Sequence, residues 1–282
     1  MNSIDEKLVL LRELEEIRYS GYIGLPTGLL AHAVLNTIDL FELVKMYINQ
    51  LYEEKIIADN ILKRLQEDSQ RVAIFDYVFD HIRENQNYTN RLRFKKLLMY
   101  LLDEMDDERI MEFFSYFYRS RYVYEVRTAL DVARRFWSPK MQEIVLNDYL
   151  ETLDNDRLLV LIDCADNDVF MEIVKNRWTE KDIPTYLKVR FIKRLRGLGI
   201  SDFLFLREID PNNFLGLLLF CKEPIDKKMV AECYNRVEDK YKPFAIWTVA
   251  KLGYWDIVKP SIKSYIQKPE NKYPGFSSIM FD

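Results

Sequence analysis

Between Thr185 and Ser201 the chain carries Lys188, Arg190, Lys193, Arg194 and Arg196 with no acidic residue among them. At about 100° per helical residue, Arg190, Lys193 and Arg194 gather beside Tyr186, opposite an apolar stripe of Leu187, Phe191, Leu195 and Leu198. Such a face has the chemistry to hold phosphate or an acidic protein segment. A solvated face balanced by acids on neighbouring helices is the commoner arrangement, and both readings stand at this stage. A second mixture lies between Phe113 and Tyr124, where aromatic residues surround Arg119 and Arg121. Arginine beside rings such as Tyr122 is the combination that stacks bases and grips a backbone. The same segment also reads as helix, turn and helix burying rings on two faces.

Other residue types offer less. Gly21, Gly24 and Gly28 surround Leu25-Pro26-Thr27, but a phosphate loop needs a strand before it and a Lys-Ser/Thr pair after it, and neither is present. His32 and His81 are the only histidines, without metal-site spacing. The acidic turns Asp103-Glu104 to Asp106-Asp107-Glu108 and Asp163, Asp166, Asp168 lack a calcium-loop pattern, and caps of helix starts account for them. Cys164, Cys221 and Cys233 form no CxxC pair and are expected to be buried thiols. No Ser-His-Asp order is visible. The expectation is therefore no catalytic residue, no metal and no cofactor, and a chain that is not an enzyme.

These residues must be positioned by helices. From Gly28 to Gly197 there is no intervening glycine, and the only prolines there are Pro139 and Pro184, so strands and hairpin turns have no punctuation. Apolar residues recur three or four apart, as in Ile4, Leu8, Leu11, Leu14 and Ile17. Ser138-Pro139 and Asp210-Pro211 read as a cap followed by a first-turn proline. The pattern predicts helices over 4–19, 26–36, 39–54, 56–67, 69–86, 89–103, 106–120, 122–136, 139–151, 154–165, 167–177, 183–198, 200–208, 211–221, 226–237, 240–253 and 254–267. Short polar joints favour antiparallel neighbours stacked in chain order.

Apolar residues at 49% and charged residues at 30% give a folded chain, and the net charge of −4 argues against a surface devoted wholly to phosphate backbones. No apolar run approaches the roughly 20 residues needed to cross a bilayer, and the acidic start, Met1 to Glu6, is unlike a secretory signal. A soluble, cytoplasmic protein without a membrane partner is expected.

Ala245-Ile246-Trp247-Thr248-Val249-Ala250-Lys251-Leu252-Gly253 followed by Tyr254 to Pro260 resembles the pattern of HEAT repeats, a small-residue helix ending Leu-Gly, a turn and an apolar helix. Val189 to Gly199 running into Ile200 to Leu204 resembles it again, and Val126-Arg127-Thr128-Ala129-Leu130 more loosely. Helix ends at Leu102, Phe136, Cys164, Leu198, Cys221 and Leu252 step by 34, 28, 34, 23 and 31 residues, 30 on average. The resemblance covers about 91–266; the repeats are expected over 91–267, with 1–90 a helical part without a clear repeat that continues into the array, and 268–282 a tail. It implies an all-α fold, a right-handed superhelix of the HEAT and armadillo kind made of stacked antiparallel helix pairs, and a scaffold that binds a macromolecule on its inner surface. It carries over no catalytic residue.

A protein partner is expected first, through Tyr186, Arg190, Lys193, Arg194, Arg119, Arg121 and Tyr122. The alternatives are a nucleic-acid partner, as in the HEAT-like DNA glycosylases that handle a duplex on a basic groove, and an immunity or regulatory protein that holds a basic partner with its acidic turns. Phe276, Ile279, Met280 and Phe281 in the tail are expected to fold over the last repeat near Trp247 and Trp255, or to enter a partner's groove.

Overall fold

The computed structural model describes residues 3–20, 24–52, 54–65, 68–84, 88–180 and 183–267. Gly21 and the tail residues Phe276, Ile279, Met280 and Phe281 lie outside the described residues. The chain is all-α: among the described residues there are eighteen α-helices and no strand. They are α1 (Ile4–Tyr19), α2 (Thr27–Leu35), α3 (Leu40–Ile48), α4 (Glu54–Arg64), α5 (Asp68–Glu84), α6 (Tyr88–Leu101), α7 (Asp107–Tyr118), α8 (Val123–Arg135) and α9 (Pro139–Thr152). There follow α10 (Asn155–Cys164), α11 (Asn167–Trp178), α12 (Thr185–Leu195), α13 (Ile200–Phe203), α14 (Leu206–Ile209), α15 (Pro211–Leu218), α16 (Lys227–Arg236), α17 (Lys242–Lys251) and α18 (Trp255–Gln267). No single helix among the described residues is long and apolar enough to cross a membrane.

The starts follow from side chains that satisfy free amides. Ser3, Asp39, Asp106, Ser138, Asp154, Asp210 and Asp226 each accept a hydrogen bond from an amide of the first turn they precede. Pro139 and Pro211 occupy first turns, where no amide hydrogen is missed. At the far end of α17 the backbone turns through Gly253 at φ +89°, a left-handed conformation that favours glycine. The single helix expected over 200–208 is two one-turn helices. The Leu204 and Phe205 carbonyls between them accept from the Arg207 and Glu208 amides only three residues on, which tightens the turn and breaks the α register.

The chain divides into two units, residues 1–129 and 130–282, with the division inside α8. Each unit packs mainly within itself, and the division falls away from the change of sequence pattern expected at 90/91. In the first unit α1 packs on α2, α3 on α4 and α5 on α6, while α2 also meets α4 and α3 meets α5. Its core runs through Leu11, Leu35, Leu43, Ile57, Phe75, Phe94 and Phe113, all fully buried. In the second unit α9 packs on α10, α10 on α12, α12 on α15, α15 on α16 and α17, and α17 on α18, around Leu161, Phe170, Phe191, Phe214 and Val249. Apolar stripes thus face helices that are near in chain order.

Polar bonds repeat the same step. Lys7 Nζ donates to the Thr37 carbonyl, 30 residues away, and Lys95 Nζ to Thr128 Oγ1, 33 away. In the second unit Trp178 Nε1 donates to Asp210, 32 residues on, and the Tyr254 hydroxyl to the Ile225 carbonyl, 29 back.

Candidate functional site

The basic helix α12 places its five cations in very different surroundings. Leu187, Phe191 and Leu195 are fully buried and fix the helix against α10 and α15. Arg194, at the edge of this stripe, reaches back to the carboxy end of α10. Its Nη1 donates to the Leu161 and Ile162 carbonyls at 3.2 and 2.8 Å, and its Nη2 to the Ala165 carbonyl and to Asn167 Oδ1. Its guanidinium carbon also lies 4.2 Å from the centre of the Phe170 ring. The last carbonyls of a helix have no partner inside the helix, so this fork closes the end of α10. Burial pulls the Arg194 pKa below the ordinary arginine value. The first unit uses the same device, since Arg64 donates to the Leu35 and Ile38 carbonyls at the end of α2, at 3.2 and 2.6 Å.

Arg190 lies 3.5 Å from Asp163, a carboxylate that also faces Arg134. Lys188 rests 5.7 Å from the centre of the Trp178 ring. The solvent side of α12 also carries Tyr186 and Val189, each at least half exposed, with Lys193 and then Arg196 just past the helix end, both exposed. Neither Lys193 nor Arg196 makes an ion pair among the described residues.

The Phe113–Tyr124 segment in the first unit sorts differently. Phe113, Phe114 and Phe117 are fully buried, and Phe113 packs on Phe75, Phe79 and Phe117 at 6.4, 5.9 and 4.6 Å between ring centres. Those rings are core. Arg121 folds back onto Tyr122, donating to its hydroxyl at 2.9 Å with the guanidinium 5.0 Å from the ring centre. Arg119 is exposed and lines an open cleft of about 470 Å³ with Arg83, Glu112, Ser115, Tyr116 and Ser120, in which Arg83 pairs with Glu112 and Asp80. Arg119 and the Arg121–Tyr122 pair therefore sit at the end of α7, whereas Tyr186, Arg190, Lys193 and Arg194 share α12.

Sequence spacing missed a row of rings in the second unit. Phe220, Phe244 and Trp247 are 47%, 40% and 36% exposed. The Arg196 guanidinium carbon lies 4.2 Å from the centre of the Phe220 ring, and Lys251 Nζ 6.0 Å from the centre of the Trp247 ring. Phe244 and Trp247 stack at 5.6 Å with a 31° tilt. Phe220 stands one turn after Gly216, and a Cβ built at Gly216 would lie 3.8 Å from the Phe244 ring, so α15 and α17 bring the rings to one surface. Two contact groups result, Arg196 with Phe220 and Phe244 with Trp247 and Lys251, and the packing of α15 on α17 sets them side by side. The available signal was the spacing of Phe244, Trp247 and Lys251, three and four apart on one helix face.

The remaining candidates have structural surroundings. Asp106 accepts the Arg109 amide as a cap, and that bond, with the Arg109 guanidinium, holds its carboxyl below the usual range. His32 Nδ1 faces the Asn60 amide at 3.3 Å, and His81 lies between the rings of Tyr77 and Phe94. Cys233 is fully buried, and burial pushes its thiol up to about 11. Cys164 and Cys221 are half-buried and free, with burial raising both thiols. Among the described residues no group of three or more His, Cys, Asp or Glu is placed to hold a metal ion. No protein-family model, curated protein or solved structure matches the chain.

Proposed function

We propose that the chain is a non-enzymatic binding scaffold, a HEAT-like array of stacked helix pairs that engages another macromolecule through an exposed helical face, with a protein as partner. The observation that carries this reading is the division of labour on α12, whose buried stripe and Arg194 hold the helix in place while Tyr186 and Lys193 stay on the solvent side. A helix held so firmly on one side presents the other as a preorganised surface. The stacking of α10, α12, α15 and α17 and the bonds between residues about thirty apart support the array.

Protein is favoured over nucleic acid by the state of the cations. Of the five on this helix and its end, Arg190 faces Asp163 and Arg194 is bound to carbonyls. Backbone binding to nucleic acid draws its affinity from many uncompensated charges, commonly six to ten phosphate contacts, whereas a protein interface needs only a few well-placed rings and cations.

Selection of random displayed peptides on the whole chain, against a Tyr186→Ala, Lys193→Glu variant, tests the proposal. Enrichment on the wild type of sequences that the variant fails to retain is the expected result. No enrichment, or enrichment only from a single-stranded RNA pool selected in parallel at physiological salt, would overturn it.

A further inference from the structure

The row from Arg196 through Phe220, Phe244 and Trp247 to Lys251 is a surface of a particular chemistry, and we propose that it seats an acidic amphipathic helix of a protein partner. The proposal rests on the scaffold reading above and specifies what the scaffold holds. Three physical points lead to it. The first is charge: Arg196 and Lys251 lie over rings, Lys193 stands one turn before Arg196, and none of the three has an ion pair among the described residues. Of the acids nearby, Glu223 lies beside Gly199 and Asp256 pairs with Lys227. A cation held over a ring is ready for a carboxylate, because the ring covers one side of it and leaves the other to water.

The second point concerns the ring faces. Phe220 is covered by Arg196, Trp247 by Lys251, and Phe244 is stacked against Trp247. Bases of a single strand bind by lying flat on free ring faces. A ring with a face so occupied is suited to pack Leu, Met or Phe side chains against its remaining surface.

The third point concerns the partner's backbone. The row is built on helices whose amides and carbonyls bond within the helices, so no strand edge is offered for an extended peptide to join. A partner lying here must satisfy its own backbone, which a helix does. Two interaxial steps, from α12 to α15 and from α15 to α17, of about 8–10 Å each give a row of roughly 20 Å. A helix of about 14 residues, at 1.5 Å per residue, covers that length.

Fluorescence anisotropy with the whole chain tests this. The probe is a labelled, lactam-bridged helical peptide of about 14 residues with leucines at helical spacing on one face and glutamates beside them. A lysine-for-glutamate version and an oligouridine serve as comparators. The expected result is binding of the glutamate peptide alone. Phe220→Ala with Trp247→Ala should weaken it about ten-fold, and Arg196→Glu with Lys251→Glu should transfer preference to the lysine peptide, a gain that an unfolded variant would not show. Equal binding of the two peptides, indifference to both variants, no binding of the glutamate peptide, or its displacement by oligouridine would each overturn the acidic-helix seat. If displayed peptides are nevertheless selected through Tyr186 and Lys193, the scaffold reading survives the loss of this one; if none is selected, both fall together.

Discussion

The Phe113–Tyr124 segment and the Phe220–Trp247 row are alike in composition, aromatic residues beside arginine or lysine, and opposite in use. In the first, Phe113, Phe114 and Phe117 are fully buried, and the arginines stand apart from them past the end of α7, Arg119 exposed and Arg121 against Tyr122. In the second, the rings remain more than a third exposed and the cations lie on their faces. What separates them is direction. Phe113 and Phe117 are a turn apart on the stripe that α7 turns inward, whereas Phe244 and Trp247 stand on the outer side of α17, opposite buried Ala245 and Val249. Composition does not distinguish the two regions; the side of the helix on which the rings stand does.

The sharpest way to break this contrast is to truncate one ring in the inward set. Phe113→Ala removes a fully buried side chain that touches three other rings, and a loss of about 3–5 kcal/mol in unfolding free energy is expected. Chemical denaturation would read it, and a loss below about 1 kcal/mol, the range of surface positions, would show these rings not to be core.

A smaller effect is expected at Arg194. Arg194→Met keeps much of the side chain's length and apolar stem but leaves the Leu161, Ile162 and Ala165 carbonyls without the fork, a cost of about 1–3 kcal/mol. Lysine should not restore it, since one ammonium cannot reproduce the planar fork. Lys193→Met, one residue away on the solvent side, should leave the melting temperature unchanged. Equal loss at both positions would contradict the division of labour on α12.

The smallest effect concerns acid. Burial works to raise the Asp154 carboxyl, but the Arg157 amide at 3.1 Å and its guanidinium outweigh it, so the group titrates below its ordinary 3.8. A depressed folded-state value means that its stabilisation is complete above the unfolded value and is lost as pH falls through the folded one. Thermal melts should therefore decline below about pH 4, and Asp154→Asn, which keeps the cap, should flatten that decline slightly. An unchanged slope would remove Asp154 from the acid response.

Helices were legible because their signals are local: caps, first-turn prolines and apolar residues three or four apart. The break between α13 and α14 was not, because Leu204 and Phe205 continue the apolar pattern while the hydrogen bonds tighten beneath it. The candidate site was legible only in part. Lys193 and Arg194 are neighbours on a helical projection, and what distinguishes them is the end of α10, about thirty residues earlier. The ring row was hidden for the same reason, since Arg196, Phe220 and Phe244 are each 24 residues from the next along the chain and are set near one another only by the packing of α12, α15 and α17.

That spacing also bears on how the chain reaches its fold. The side-chain bonds between hairpins close loops of 24 to 34 residues, roughly a tenth of the 282-residue length. Closing short loops costs little entropy, and chains rich in such near contacts fold quickly for their size. A ribosome adding residues in order would release each hairpin together with the one it bonds to within seconds, so that packing can follow synthesis from the amino end without waiting for distant segments.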